Sequence, residues 1–321
     1  MKQIALFGLG LLILMSAPSK SHAKTDGASL HPKGGTLQNG TFSFEHDDVT
    51  THYAIYGKGP VCMVMTNAWG ITHQGLRELF RPLEKHLTLV YFDTRGMGSS
   101  GPIHKPEDHS MATVRGDLEA LRRHLGLEKA VFLGWSNGAM NLLVYAAEHP
   151  QVIDKAIFIS GLDRNREEDM AKFVEQYPEL TTQFGTFTQE MAQGKASETA
   201  KNARTKDFIM RVWFPYLFAD REAGNGHLKK LFDGADFSWA HLSYNLTADG
   251  PAFNAEPLLP KIDVPSLVLA GAHDLLPPKR IGDMAKRMPN AEFVVFERSG
   301  HFCQVEETEK FVKTVTTFLK R

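Results

Sequence analysis

The chain predicts an α/β fold: a mostly parallel, eight-stranded sheet with helices on both faces and an inserted helical cap. Three observations carry this. Short apolar runs alternate with helical patterns along most of the chain, as in a sheet whose strands are buried on both faces. A single stretch of roughly 100 residues, 163–260, interrupts the alternation with helical patterns only. Finally, 321 residues with 42% hydrophobic and 23% charged side chains are enough for one large core.

The N-terminus carries a leader pattern. Lys2 precedes an apolar run from Ile4 to Met15, and Ser21-His22-Ala23 places small residues where a signal peptidase cleaves. The run is shorter than the roughly 20 residues of a spanning helix. We therefore expect a signal peptide over 1–23, export of the mature chain, and a flexible start over 24–40, rich in Gly, Lys, Ser and Thr.

Two half-buried strands, Thr41 to Glu45 and His52 to Tyr56, open the domain as a hairpin. Val61 to Thr66, Leu87 to Phe92, Ala130 to Leu133 and Ala156 to Ser160 are the buried parallel strands. Ser110 is the N-cap of a helix with Met111, Val114, Leu118 and Leu121 on one face. Asn137 to Glu148 is apolar almost all round, as for a helix packed centrally. After the insertion come strands Pro265 to Ala270 and Phe293 to Phe296. A closing helix buries Phe311, Val312, Val315, Phe318 and Leu319. The core is thus 41–162 with 261–321, and the cap is 163–260. Such a long stretch is not a structureless loop, and its aromatics include Phe208, Trp213, Phe214, Tyr216, Phe218, Phe232, Phe237, Trp239 and Tyr244. These residues either contact an apolar substrate or anchor the cap.

The chemistry centres on Gly134-Trp135-Ser136-Asn137-Gly138, a G-x-S-x-G between an apolar strand and an apolar helix. The glycines leave room for a sharp turn that lifts the hydroxyl to a helix N-terminus, where negative charge is favoured. A serine nucleophile needs a base. Asp274 ends a small-residue turn after one strand, and His301 lies 27 positions later in Ser299-Gly300-His301, after the next. Both fall on the sheet edge that carries Ser136. Ser136, His301 and Asp274 are the expected nucleophile, base and orienting acid. His273 adjoins the acid, and Asp163 stands after the Ala156 to Ser160 strand as an alternative acid. Oxyanion donors are expected from the backbone N–H of Asn137 and of Ala68, with Trp69 as the alternative to Ala68.

Other features exclude classes. Net charge −1 offers no basic footprint for nucleic acid. Gly96-Met97-Gly98-Ser99-Ser100-Gly101 matches a dinucleotide fingerprint, but Pro102 and Pro106 stand where a helix should open. No cofactor is implied. The histidines show no metal-binding spacing. Cys62 and Cys303 are expected at opposite ends of the sheet, too far apart for a disulfide, and so to be free thiols.

Together these residues resemble the α/β-hydrolase superfamily over nearly all of the mature chain. Asp93-Thr94-Arg95-Gly96-Met97-Gly98-Ser99-Ser100 is similar to the D-x-R-G-x-G-x-S segment of its epoxide-hydrolase-like and proline-iminopeptidase-like branches. The resemblance implies the Ser136–Asp274–His301 triad and a cap between the sixth and seventh strands. The chain departs from both branches. Ser136 replaces the aspartate nucleophile of epoxide hydrolases. Thr66-Asn67-Ala68-Trp69-Gly70 stands where proline iminopeptidases carry H-G-G-P-G, and the elbow differs from their G-G-S-W-G. The resulting expectation is a serine hydrolase of an ester, lactone or amide in a small molecule or short peptide. An aminopeptidase would need a cap carboxylate, among Glu167, Glu168, Glu175 and Glu179, to hold the substrate amine. A non-catalytic binding protein on the same fold is the other reading.

Overall fold

The computed structural model describes residues 37–321. The expected signal peptide and most of the expected flexible segment lie outside the described residues. The last residues of that segment belong to the folded domain: Leu37 packs against the core and Gly40 opens the first strand.

Eight strands form one sheet: β1 Gly40–His46, β2 Val49–Gly57, β3 Val61–Met65, β4 Thr88–Phe92, β5 Ala130–Trp135, β6 Ile153–Ile159, β7 Ser266–Gly271 and β8 Ala291–Phe296. Their spatial order is β1-β2-β4-β3-β5-β6-β7-β8. β1 and β2 pair antiparallel, β2 runs antiparallel to β4, and every other pairing is parallel.

Period-two geometry explains why the central strands read as unbroken apolar runs. On β5, Val131, Leu133 and Trp135 face one hydrophobic layer, while Ala130 and Phe132 face the other. β6 and β7 divide in the same way: Ile157, Ile159, Leu267 and Leu269 lie on one side, Ala156, Phe158, Val268 and Ala270 on the opposite side. Each buried Val, Leu, Ile or Phe among them contributes about 1.5–3 kcal/mol. The first layer packs under helices His73–Phe80 and Thr308–Leu319, the second under Met111–His124, Asn137–Glu148 and Pro278–Ala285. Ser110 caps Met111–His124, its Oγ accepting from the Thr113 N–H at 3.1 Å. Arg122, Arg123 and His124 sit in its last turn, where the helix dipole favours cations.

Between β6 and β7 the chain is helical, with main helices Glu167–Gln176, Pro178–Gln193, Glu198–Phe208, Arg221–Phe232 and Trp239–Tyr244. Two of its turns are wound wider than an α-helix. In Ile209–Trp213 and Asn245–Asp249 the closing N–H reaches back five residues, Phe214 to Ile209 and Gly250 to Asn245. No helix among the described residues is long and apolar enough to cross a membrane. Cys62 and Cys303 are buried free thiols.

Candidate active site

Ser136 stands between β5 and helix Asn137–Glu148 with φ 55° and ψ −123°. A side chain other than glycine rarely adopts that conformation, so the turn is strained and held by its surroundings. Gly134 and Gly138 make it possible. A Cβ on Gly134 would lie 2.6 Å from the Gly138 carbonyl oxygen, and one on Gly138 2.6 Å from the Met65 carbonyl oxygen. The Ser136 N–H is fixed to the Ile159 carbonyl at 2.8 Å. Its side chain stays partly exposed at the carboxyl edge of the sheet.

His301 and Asp274 meet on the same edge. His301 Nδ1 lies 2.8 and 3.0 Å from the two Asp274 oxygens, with the imidazole 3% and the carboxylate residue 8% exposed. A carboxylate accepts, so Nδ1 carries the proton and Nε2 is left as the basic nitrogen. The Leu276 N–H also donates to Asp274 Oδ1, at 2.9 Å. The two loops are pressed together at Gly271, where a Cβ would fall 2.0 Å from the Gly300 carbonyl oxygen.

The link from His301 to the elbow runs through Trp135. Its indole N–H donates to the His301 carbonyl at 3.0 Å, and the two rings lie 5.4 Å apart. The residue before Ser136 thus tethers the residue expected to activate it. The Ser136 hydroxyl itself has no hydrogen-bond partner among the described residues. In unliganded sites the nucleophile–base bond is often long and tightens when substrate arrives.

Several positioning groups escaped the sequence reading. The His301 N–H donates to the Leu217 carbonyl at 2.6 Å, so the inserted helices are bonded directly to the histidine loop. Glu306 clamps the same junction, accepting from Gly300 N–H at 2.7 Å and Ala219 N–H at 2.8 Å. Burial pushes its carboxyl up, against the pull of those two N–H groups. No local motif marks such a clamp, because it joins a near neighbour, Gly300, to Ala219 of a distant segment.

The two expected oxyanion donors differ in how free they are. Asn137 begins its helix, so its N–H has no intrahelical acceptor. The Ala68 N–H, in contrast, is engaged: it donates to Asn137 Oδ1 at 2.9 Å. The alternative, the Trp69 N–H, donates to Asn67 Oδ1 at 2.7 Å. Both loop donors are held by side-chain amides, Trp69 by its near neighbour Asn67 and Ala68 by Asn137, 69 residues away. Ala68 can serve an oxyanion only if Asn137 Oδ1 releases or shares it.

The other acids and histidines fall elsewhere. Asp163 is bound to Arg280 at 2.8 Å, far in connectivity from His301, and His273 is exposed. Glu167, Glu168, Glu175 and Glu179 are all exposed. The glycine-rich loop is a tight turn rather than a nucleotide cradle. Gly96 and Gly98 have φ of 74° and 53°, and a Cβ on Gly98 would strike Asp93 Oδ2 at 2.3 Å. His52, His73 and Asp93 bring three ligand-type atoms within 4.8 Å of one another. They come from β2, a helix start and the end of β4, so spacing rules could not find them. Their contacts form a hydrogen-bonded set: Asp93 accepts from the His73 N–H at 2.7 Å and approaches Nδ1 of His73 at 2.9 Å and of His52 at 3.2 Å. Burial opposes ionisation of Asp93, but the His52 and His73 hydrogen bonds outweigh it and hold the carboxyl below its usual range.

Comparison with known proteins agrees with this architecture. The α/β hydrolase fold family matches residues 63–308. A proline iminopeptidase of Clostridioides difficile (strain 630) is 27% identical over 277 residues, covering 84% of this chain and 94% of its own. A 2-hydroxy-6-oxononadienedioate/2-hydroxy-6-oxononatrienedioate hydrolase of a Pseudomonas species is 25% identical over 274 residues, covering 83% and 90%. The solved structure of an α/β fold family hydrolase from Bacillus anthracis str. Sterne superposes with a TM-score of 0.75 at 23% identity, covering 87% of this chain and 99% of that one. The chain belongs to the α/β hydrolase fold family. It is a hydrolase.

Proposed function

We propose that the protein is a serine hydrolase that cleaves a carboxylic ester, lactone or amide through an acyl-enzyme, with Ser136 as nucleophile, His301 as general base and Asp274 as its orienting acid. The observation that carries this is the strained Ser136 elbow beside an imidazole whose Nδ1 is bonded to Asp274 at 2.8 Å. His301 Nε2 takes the serine proton as Oγ attacks the carbonyl carbon. The same proton then passes to the leaving alcohol or amine, and water repeats the sequence to free the acid. The Asn137 N–H, at a helix N-terminus, supports the oxyanion.

Within that class, an ester or lactone is favoured over an N-terminal peptide bond. Four glutamates of the insertion were candidates to hold a substrate amine, and all are exposed, Glu168 lying beside Arg166. We read the inserted helices as the cap, because Leu217 is bonded to His301 and Trp69 of the core is bonded to Asn245 of the insertion.

A fluorophosphonate probe tests the mechanism. One equivalent should attach at Ser136, and Ser136→Ala should abolish labelling and lower kcat by about 10⁶. Undiminished labelling of the variant would remove Ser136 from the mechanism.

A further inference from the structure

Trp69 follows the oxyanion-loop residue Ala68, and its indole N–H donates to Asn245 Oδ1 at 2.8 Å. An indole nitrogen only donates. The amide of Asn245 therefore has one possible orientation, oxygen toward Trp69 and Nδ2 away from it. Asn245 is 5% exposed, and its Nδ2 has no partner among the described residues. Buried donors are rarely left unpaired, and those that are call for an explanation.

The surroundings point to a ligand. Asn245 opens one of the two wide π-wound turns, and Trp213 closes the other. Turns of that kind occur preferentially at functional sites. Both converge on Trp69, whose ring lies 6.4 Å from that of Trp213. Phe184 and Phe173 extend this aromatic cluster at 4.8 and 6.0 Å from Trp213. All four aromatics are only half-buried, unlike the fully enclosed Phe214 and Phe232 beneath. One helical turn before Asn245, His241 lies against Gly70, where a Cβ would approach its own Cβ to 2.7 Å. This seats the helix directly on the oxyanion loop.

We propose that Asn245 Nδ2 is a specificity donor: it binds a neutral acceptor oxygen, ether or keto, in the acyl part of the substrate, whose apolar body lies against Trp69 and Trp213. The proposal rests on the serine-hydrolase reading and adds the substrate class. A purely apolar acyl group would leave the donor unpaired, so an acceptor-bearing one is preferred.

Two p-nitrophenyl esters of equal acyl length, the butanoate and the methoxyacetate, differ by one methylene exchanged for oxygen. Their kcat/KM ratio cancels intrinsic reactivity when the full-length wild type and variants are compared. Asn245→Asp keeps an oxygen for Trp69 but replaces the free donor with an acceptor, and Asn245→Leu removes both. Each variant should lower the methoxyacetate-to-butanoate ratio of kcat/KM by about tenfold or more, chiefly through KM. A ratio unchanged in both variants, or equal loss on both esters, overturns the proposal. So does fluorophosphonate labelling of Ser136 without turnover of either ester. Absence of both labelling and turnover would instead overturn the serine-hydrolase reading.

Discussion

Two carboxylates among the described residues each hold a buried imidazole through Nδ1, and they differ in what stands beyond the ring. Asp274 holds His301 alone, at 2.8 Å, and Trp135 ties the histidine backbone to the strand that ends in Ser136. Asp93 is shared between His73 and His52 and also accepts the His73 backbone N–H. Its neighbourhood is scaffolding. Ser100 Oγ donates to the Asp93 carbonyl at 2.8 Å and accepts from the His52 N–H at 2.9 Å, fastening the glycine-rich loop to β2. A carboxylate–imidazole pair is therefore not itself a catalytic signature. The two pairs differ in what they adjoin: Trp135, which is bonded to the His301 carbonyl, directly precedes the strained Ser136 backbone. His241 supplies the limiting case, a buried imidazole with no carboxylate partner among the described residues: it meets Ser238 Oγ at 2.9 Å, Thr94 Oγ1 at 3.3 Å and the Arg95 backbone.

The contrast can be broken by experiment, beginning with the largest effect. Asp274→Asn should keep the fold but lower kcat by about 10⁴, since the amide no longer selects the tautomer with a basic Nε2. Steady-state kinetics within tenfold of wild type would place Asp274 with the scaffolding instead. Asp93→Asn should do the reverse. Urea denaturation should show a loss of about 3–5 kcal/mol, as expected when one partner of a buried charged network is removed. The fraction still folded should label at Ser136 as wild type does, and a labelling defect in that fraction would make Asp93 part of the active site.

The smallest effect concerns pH. Burial, reinforced by the neighbouring His109, pushes His241 down to about 3 from the ordinary 6.5. Between those values the unfolded chain binds a proton that the folded chain refuses, so stability is full above pH 6.5 and falls as pH drops toward 3. His241→Gln removes that proton, and its melting temperature should fall less steeply than wild type between pH 6.5 and 4. Parallel curves would show that His241 does not carry the dependence.

Much of this was legible in the chain itself. Apolar runs of strand length, spaced by helical patterns, fix a parallel sheet because both strand faces must be buried. G-x-S-x-G names Ser136 because only glycine tolerates the contacts two residues either side of the turn, with the Gly138 and Met65 carbonyls at 2.6 Å. Asp274 and His301 could be paired from the sequence because parallel strands deliver their following loops to one edge, and the two side chains do meet, at 2.8 Å.

Tertiary structure alone decided the rest. That the Ala68 N–H is occupied depends on where the Asn137 side chain falls, 69 residues along the chain. The Glu306 clamp, the Leu217 tether and the Asn245–Trp69 bond each join segments whose separation follows no period, so no pattern announces them. Sequence periodicity records which face of an element meets the core, because burial acts on every turn or pleat. A single hydrogen bond between distant loops acts once, and its partners are chosen only when the packed elements set them side by side.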